Sequence, residues 1–374
     1  MGNLLVHNNH VFTFNGNVFG YTPPPPVYGV EWEDMSVNST GVRTGDAAGF
    51  ADPIPAVAGG TGSSPFDDIM PWSGMVRSLD YDVAGEVVAI PKFYYKWTKT
   101  GSKLGLQISM EKLDGFYTSP THADRGDGKG ERDIVYVGRY HSCDIAWSVT
   151  GQMPKVDITR SEARAAAHHL GSNVWQFDFA TRMTIWMLYL VEFADWNSQK
   201  RIGYGCGNGS SIEKVGASDN MKYHTGTMQA DRTTYGVGVQ YRNIEGLWDN
   251  VFDWMDGCCY STDGMSVIMN PNYFNDIARM GTVIGVPVRG RAPRAFDITT
   301  AAGCQWIYPS AKGRGFSTGS CDVWDYDNRL PWLLCGGGYP NNESSGLFCV
   351  RLYDLSTSDP SPIPFIGFRV IVLP

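Results

Sequence analysis

Positive charge is scarce in this chain and nowhere gathers into a run. Its 374 residues hold 30 Lys and Arg against 38 Asp and Glu, a net charge of −8. Nucleic-acid binding draws on clustered basic side chains set against phosphates, so that class of partner is excluded. Long apolar runs are missing as well. The richest stretch, Met183 to Phe193, is broken by Glu192 and falls well short of a membrane-spanning helix, which needs about 20 residues. Membrane insertion is not expected. The start Met1-Gly2-Asn3-Leu4-Leu5 lacks the basic and apolar parts of a secretory signal, so export through one is not expected either. None of the eight Cys forms a Cys-x-x-Cys pair, and adjacent Cys258-Cys259 is a poor zinc motif. Buried thiols in a protein made in the cytosol are the expectation. Cys335 and Cys349 flank a Gly-rich segment and could pair, a point that residue order leaves open. Gly315-Phe316-Ser317-Thr318-Gly319 matches the bare G-x-S-x-G string, and His122, His141, His168, His169 and His224 are present, but each His is expected to be structural or at the surface.

What is there is apolar and loop-forming. Hydrophobic residues make up 43% and charged ones only 18%, so a sizeable core under a weakly charged polar surface is expected. The 44 Gly and 12 Trp suit a loop-rich fold with large buried rings. Residues 4–21 read as two short strands around Asn15-Gly16, a hairpin signal. Pro23 to Pro26 follow as a stiff extended spacer. Together, residues 1–28 read either as an attachment segment or as a disordered terminus with an accidental apolar pattern. Residues 29–84 read as an irregular connection, clearest at Val57 to Ser64. Glu86 to Trp97 reads as a strand broken or bulged at Pro91, and Leu106 to Met110 could pair with it. Thr159 caps an expected helix over Arg160 to Leu170, stopped by Gly171. Asp178 caps a second, running to about Asp195, with Met183, Trp186, Met187, Leu190, Val191 and Ala194 as a core-facing stripe. Beyond Trp196 only short strands and loops are expected. The order is α+β: strands, two helices, then a loop-rich antiparallel β region.

Three segments carry a family resemblance. Tyr241 to Gly257 contains Asp249-Asn250-Val251-Phe252-Asp253-Trp254, which resembles the "GNVWEW" segment of formylglycine-generating-enzyme-like C-type-lectin folds. Trp248, Val251 and Trp254 would be buried there, and Asn250 suits a tight turn. Ile366-Gly367-Phe368-Arg369-Val370 resembles the "GFR" strand that closes the same fold. Cys335 to Phe348, with its Gly-Gly pair, Asn-rich loop and Gly-Leu-Phe, resembles the variable region of proteins diversified by retroelements. Ile90 to Tyr95 and Tyr136 to Tyr140 are similar to segments of phage tail proteins of this type.

The resemblance implies a C-type-lectin-like domain over 85–374, with a variable region near 325–366. It implies a non-enzymatic adhesin on a phage tail, or on a bacterial cell surface, with a host protein or glycan as receptor. A homotrimer, joined to other tail or virion proteins through the N-terminus, follows from the same likeness. In that family, adenines of variable codons are randomised, and Asn codons then cannot reach Glu, Lys, Gln, Trp or Met. Arg351 to Phe365 contains none of these five, and Gly336 to Val350 contains only Glu343, which departs from the pattern.

Leu347 to Leu352 reads as a strand with Phe348, Val350 and Leu352 facing in, and Arg351 and Tyr353 facing out. The exposed binding candidates are Tyr339, Asn341, Asn342, Ser344, Arg351, Tyr353, Asp354, Ser356, Ser358, Asp359, Ser361, Pro362, Pro364 and Phe365. Tyr and Arg serve as anchors, while Ser and Asn give adaptable hydrogen bonds. Asp325, Tyr326, Asp327 and Asn328, just upstream, read either as an extension of this surface or as a solvated polar turn. Two rivals share the fold. A formylglycine-generating-type oxidase would use a Cys pair drawn from Cys321, Cys335 and Cys349, but the surrounding residues depart from the enzyme's pattern. A calcium-dependent sugar lectin would use a Trp-Asn-Asp segment and a Glu-Pro-Asn segment. Trp248-Asp249-Asn250 and Asn270-Pro271-Asn272 are the nearest counterparts. No cofactor is expected, although scattered Asp could hold a structural calcium ion.

Overall fold

A computed structural model describes the chain except for residues 1–5, 8–9, 12, 15–16, 19–22, 36, 79–82, 145, 206–210, 262, 277–280, 287–291, 300–304, 314–323, 325–331, 341–344 and 354–362. The described residues form mostly antiparallel sheets with three helices, an α+β or mainly-β architecture. None of these helices is long and apolar enough to cross a membrane.

The hairpin expected about Asn15-Gly16 is formed, with Thr13 opposite Val18 and Phe14 opposite Asn17. A further small ladder, Val6–His7 with His10–Val11, precedes it. The stretch 29–84 departs from its expected irregularity. Tyr28–Trp32 and Val42–Gly45 are strands, and Tyr28–Trp32 pairs with Lys103–Ser109. The alternation of Tyr28, Val30 and Trp32 is short and lies between a proline run and the acidic Glu33-Asp34. Burying Val30 and Trp32 in the main core decides the matter. The strand expected over Glu86 to Trp97 is two strands in two sheets. Val87–Pro91 pairs with Ile134–Gly138, while Tyr94–Thr100 pairs with Lys103–Ser109, as the alternation there suggested.

Both long helices start where their caps predict. In α1 (Arg160–His169), Thr159 and Glu162 form a reciprocal capping box. In α2 (Phe179–Phe193), the Asp178 side chain accepts from the Thr181 amide, and Ala194 ends the helix at φ +53°. The expected stripe understates α2, for every one of its residues is buried. It packs against Tyr28–Trp32 and Lys103–Ser109 and also against Phe252–Ser261, so sheets cover it on more than one side. Its charged Glu192 is compensated by Arg242, at 2.6 and 2.9 Å, and by the Tyr241 hydroxyl at 3.0 Å. A short α3 (Ser198–Arg201) is the only later helix longer than a single 3-10 turn among the described residues.

The C-terminal strand Val370–Val372 is interior, lying between Val174–Gln176 and Ile134–Gly138. Before it, the fully buried Arg369 donates to the carbonyls of Gly138, Arg139 and Glu245 at 2.7, 2.8 and 2.7 Å. The chain is therefore held firmly right after the stretch expected to vary.

Candidate binding site around Phe252

The site is built on Phe252–Ser261, the central strand of a sheet. Trp332–Cys335 and Val350–Tyr353 extend the sheet antiparallel on one side, and Ile366–Gly367 runs parallel to its first residues. Trp248, Val251 and Trp254 are buried as expected. Asn250 turns the chain at φ +62°, a left-handed conformation that Asn tolerates better than most residues.

The Gly-Gly pair has a steric reason. A Cβ on Gly336 would lie 2.4 Å from the Leu247 carbonyl oxygen, and one on Gly337 would lie 2.3 Å from Ser345 Oγ. The backbone passes too close to its neighbours for any side chain. Helix α2 then pins both flanks. Arg182 Nη2 donates to the carbonyls of Leu247 and Leu347 at 2.8 and 2.7 Å. Trp186 Nε1 donates to Leu347 O at 2.8 Å, and the Leu347 amide donates to Ser198 Oγ at 2.8 Å.

Above this base, three candidates from three segments meet. The rings of Tyr339 and Phe365 lie edge to face with centroids 6.2 Å apart. Phe365 in turn lies 6.4 Å from Phe252, and the Arg351 guanidinium sits 5.8 Å from the Phe252 ring centre. Tyr339, Arg351 and Phe365 are half-buried and Pro364 is exposed. An aromatic cluster bearing one guanidinium is the composition typical of binding anchors. Backbone bonds hold it, from the Phe252 amide to Phe365 O and from the Tyr339 amide to Asn250 O, each 3.0 Å. Phe252 was absent from the sequence candidates. Alternation back from Trp254 would have found it, since the two share one face of the strand and one apolar cluster.

Asn341, Asn342, Ser344, Asp354, Ser356, Ser358, Asp359, Ser361 and Pro362 lie outside the described residues, as do Glu343 and Asp325 to Asn328. Tyr353 lies in the strand opposite Trp332, with its side chain outside the description. The strand expected over Leu347 to Leu352 begins later, at Val350. Leu347, Phe348 and Cys349 form a tight turn, in which the Cys349 amide donates to Gly346 O. All three are fully buried; Cys349 joins the apolar cluster of Phe252, over which Arg351 sits, so it lies on the side of Arg351 as strict alternation implied, but beneath the surface.

Several groups that the rival chemistries would use are buried or hydrogen-bonded within the fold. Cys335 is a buried free thiol, not bridged to Cys349, and burial pushes its pKa well above the usual thiol value. Cys143, Cys258 and Cys259 are likewise buried free thiols, whereas Cys206, Cys304 and Cys321 lie outside the described residues. Asp249 is buried and accepts from the Gly238 and Val239 amides, each at 3.0 Å. Burial and the nearby Glu245 carboxyl raise it to about 7. The Asn250 carboxamide is spent on Glu213, and that of Asn270 on Gly126 O and the Asn272 amide. No cluster of three or more His, Cys, Asp or Glu suited to a metal occurs among the described residues.

Among the described residues, Ser119 pairs with His122 at 2.7 Å and Thr225 with His224 at 2.8 Å, the latter backed by Asp67. Both hydroxyls are buried. His122 is driven down to about 4 by burial and held by the Ile90 carbonyl. A neutral ring locked in the core is a packing element. His168 stacks on Trp175 at 4.3 Å.

Scanned against known protein families and characterised proteins, the chain matches none of them.

Proposed function

We propose that this protein is a binding protein without catalysis, whose C-terminal stretch 335–367 presents a diversified receptor-binding face on a C-type-lectin-like domain. The observation that carries this reading is the meeting of Tyr339, Arg351 and Phe365 around Phe252. Three separate segments of the stretch supply one patch, and the backbone beneath them is held by α2, the Gly-Gly pair and the buried Arg369. Tolerance to extensive variation needs that division between a pinned base and replaceable side chains, because surface changes away from special features shift stability by only about 0.5 kcal/mol. Burial of Cys335, which holds the proton on its thiol, favours binding over oxidase chemistry.

In this reading the protein is an adhesin of a phage tail, assembled as a homotrimer. Several copies on one particle turn modest single-site affinity into avidity. Replacing residues 339–365 by the corresponding segment of a diversified relative should switch which host cells the protein binds while its melting temperature stays nearly constant. Unchanged cell choice after the graft would overturn the assignment of the face. The retroelement claim has its own check in the neighbouring DNA: a near-copy of the end of the coding sequence, differing at adenines, beside a reverse-transcriptase gene.

A further inference from the structure

We propose that a cleft beside Trp147, outside the variable stretch, binds a neutral sugar ring. The cleft has a volume of about 660 Å³ and is lined by Asp144, Trp147, Gln152, Met153 and Lys214, with Cys143 at its side. That is within the range of about 300–1,000 Å³ usual for small-molecule sites. It is a built feature. The turn that carries Asp144 and Trp147 is closed by bonds from the Cys143 amide to Trp147 O, 3.0 Å, and from the Ala146 amide to Cys143 O, 2.8 Å. It holds Ala146 at φ +63°, a left-handed conformation that disfavours any residue with a Cβ. The opposite wall is fastened by reciprocal backbone bonds, Gly151 to Val215 O and Val215 to Gln152 O, each 2.9 Å.

The lining fits one ligand chemistry. Trp147 is half-exposed, and the negative face of an indole attracts the weakly positive C–H face of a pyranose. Around it stand an acceptor in Asp144, a donor in Lys214, and both in the Gln152 carboxamide. This mixture suits a ring of hydroxyls, each of which donates and accepts. One carboxylate and one ammonium leave the lining without net charge, so nothing selects an ionic ligand. Asp144 is 86% exposed in its 3.2 Å pair with Lys155. Such a solvated pair is weak, and its carboxylate can turn to a ligand.

Hydrogen bonds link the segments that line the cleft to the Phe252 patch on two sides. The residue before Lys214, Glu213, is clasped by the Asn250 side chain, and Asn250 O accepts the Tyr339 amide. On the other side, the Ser142 amide donates to Phe368 O. Taken with the function proposed above, the cleft is a constant sugar anchor beside a changing patch, although its existence does not depend on that reading.

The test is saturation-transfer NMR on the full chain in EDTA. The probes are the methyl glycosides of glucose, galactose, mannose and N-acetylglucosamine, with glucuronate and N-acetylneuraminate as charged comparators. At least one neutral glycoside should bind. Its affinity should fall at least tenfold in Trp147→Ala and be weakened in Lys214→Ala, whose exposed side chain does not threaten the fold. The distant exposed substitution Lys129→Ala should change nothing. Binding of no neutral glycoside, binding only of the charged sugars, or binding that survives both cleft substitutions would each overturn the proposal. The readout uses neither cells nor the grafted segment, so it fails or succeeds separately from the proposed receptor face.

Discussion

Asn250 and Glu213 hold each other twice. The carboxamide Nδ2 donates to Glu213 O at 2.7 Å, and Oδ1 accepts the Glu213 amide at 2.9 Å. With Asn250 O also taking the Tyr339 amide, one residue ties the 213 loop to the Phe252 patch. Replacing Asn250 by Ala removes both side-chain bonds and strains the left-handed turn. A loss of about 2–4 kcal/mol is expected. Asn250→Gly relieves the strain but not the lost bonds, and should recover about 1 kcal/mol. Denaturant unfolding of the two variants separates the terms, and equal losses would show that the left-handed turn carries no cost.

Scaffold and surface should respond differently to substitution. Arg182→Met withdraws the guanidinium from the Leu247 and Leu347 carbonyls and should cost about 2–4 kcal/mol of stability. Tyr339→Ala gives up a half-exposed edge-to-face contact worth about 0.5–1.5 kcal/mol. Its binding to cells should nevertheless fall roughly tenfold or more, as expected of an anchor. Calorimetry and a cell-binding assay on both variants check the contrast. Equal stability losses would remove the distinction between pinned base and replaceable side chains.

Asp249 should give a recognisable pH signature. Its folded pKa of about 7 lies above the unfolded value of roughly 4, so the folded protein binds this proton more tightly. The stabilising contribution is full below about pH 4 and is lost as pH rises through 7. Asn in its place keeps an acceptor for the Gly238 and Val239 amides without the charge. The stability advantage of Asp249→Asn over the wild type should therefore grow from pH 4 to pH 8. A pH-independent difference between the two melting curves would contradict the assignment. Carboxylates pulled the other way, such as Asp67 and Asp219, are common to both proteins and cancel in the comparison.

Thiol chemistry offers a fourth check. Burial raises the Cys258 and Cys335 thiols well above their usual range, and the thiolate is the reactive form. Iodoacetamide applied to the native protein should leave both unmodified and should label both after unfolding, as read by peptide mass spectrometry. Rapid native labelling of Cys335 would revive the oxidase reading.

Much of the local structure was legible in the residues. Thr159 with Glu162, and Asp178 before an apolar run, located two helix starts because capping needs only a side chain and a nearby amide. Asn250 announced its turn, and Trp248, Val251 and Trp254 announced their burial. What escaped depended on partners distant in the chain. Tyr28–Trp32 is a strand because Lys103–Ser109 accepts it. Every face of α2 is covered because sheets from both halves of the chain close over it. Cys349 is buried because Phe252, Trp254 and Ile366 close over its side of the chain. Local hydrogen bonding and side-chain type were thus decided by the sequence alone. The convergence of Tyr339, Arg351 and Phe365 on Phe252 was decided only by tertiary structure, since it requires three segments to be brought together by a sheet whose pairings no local pattern encodes.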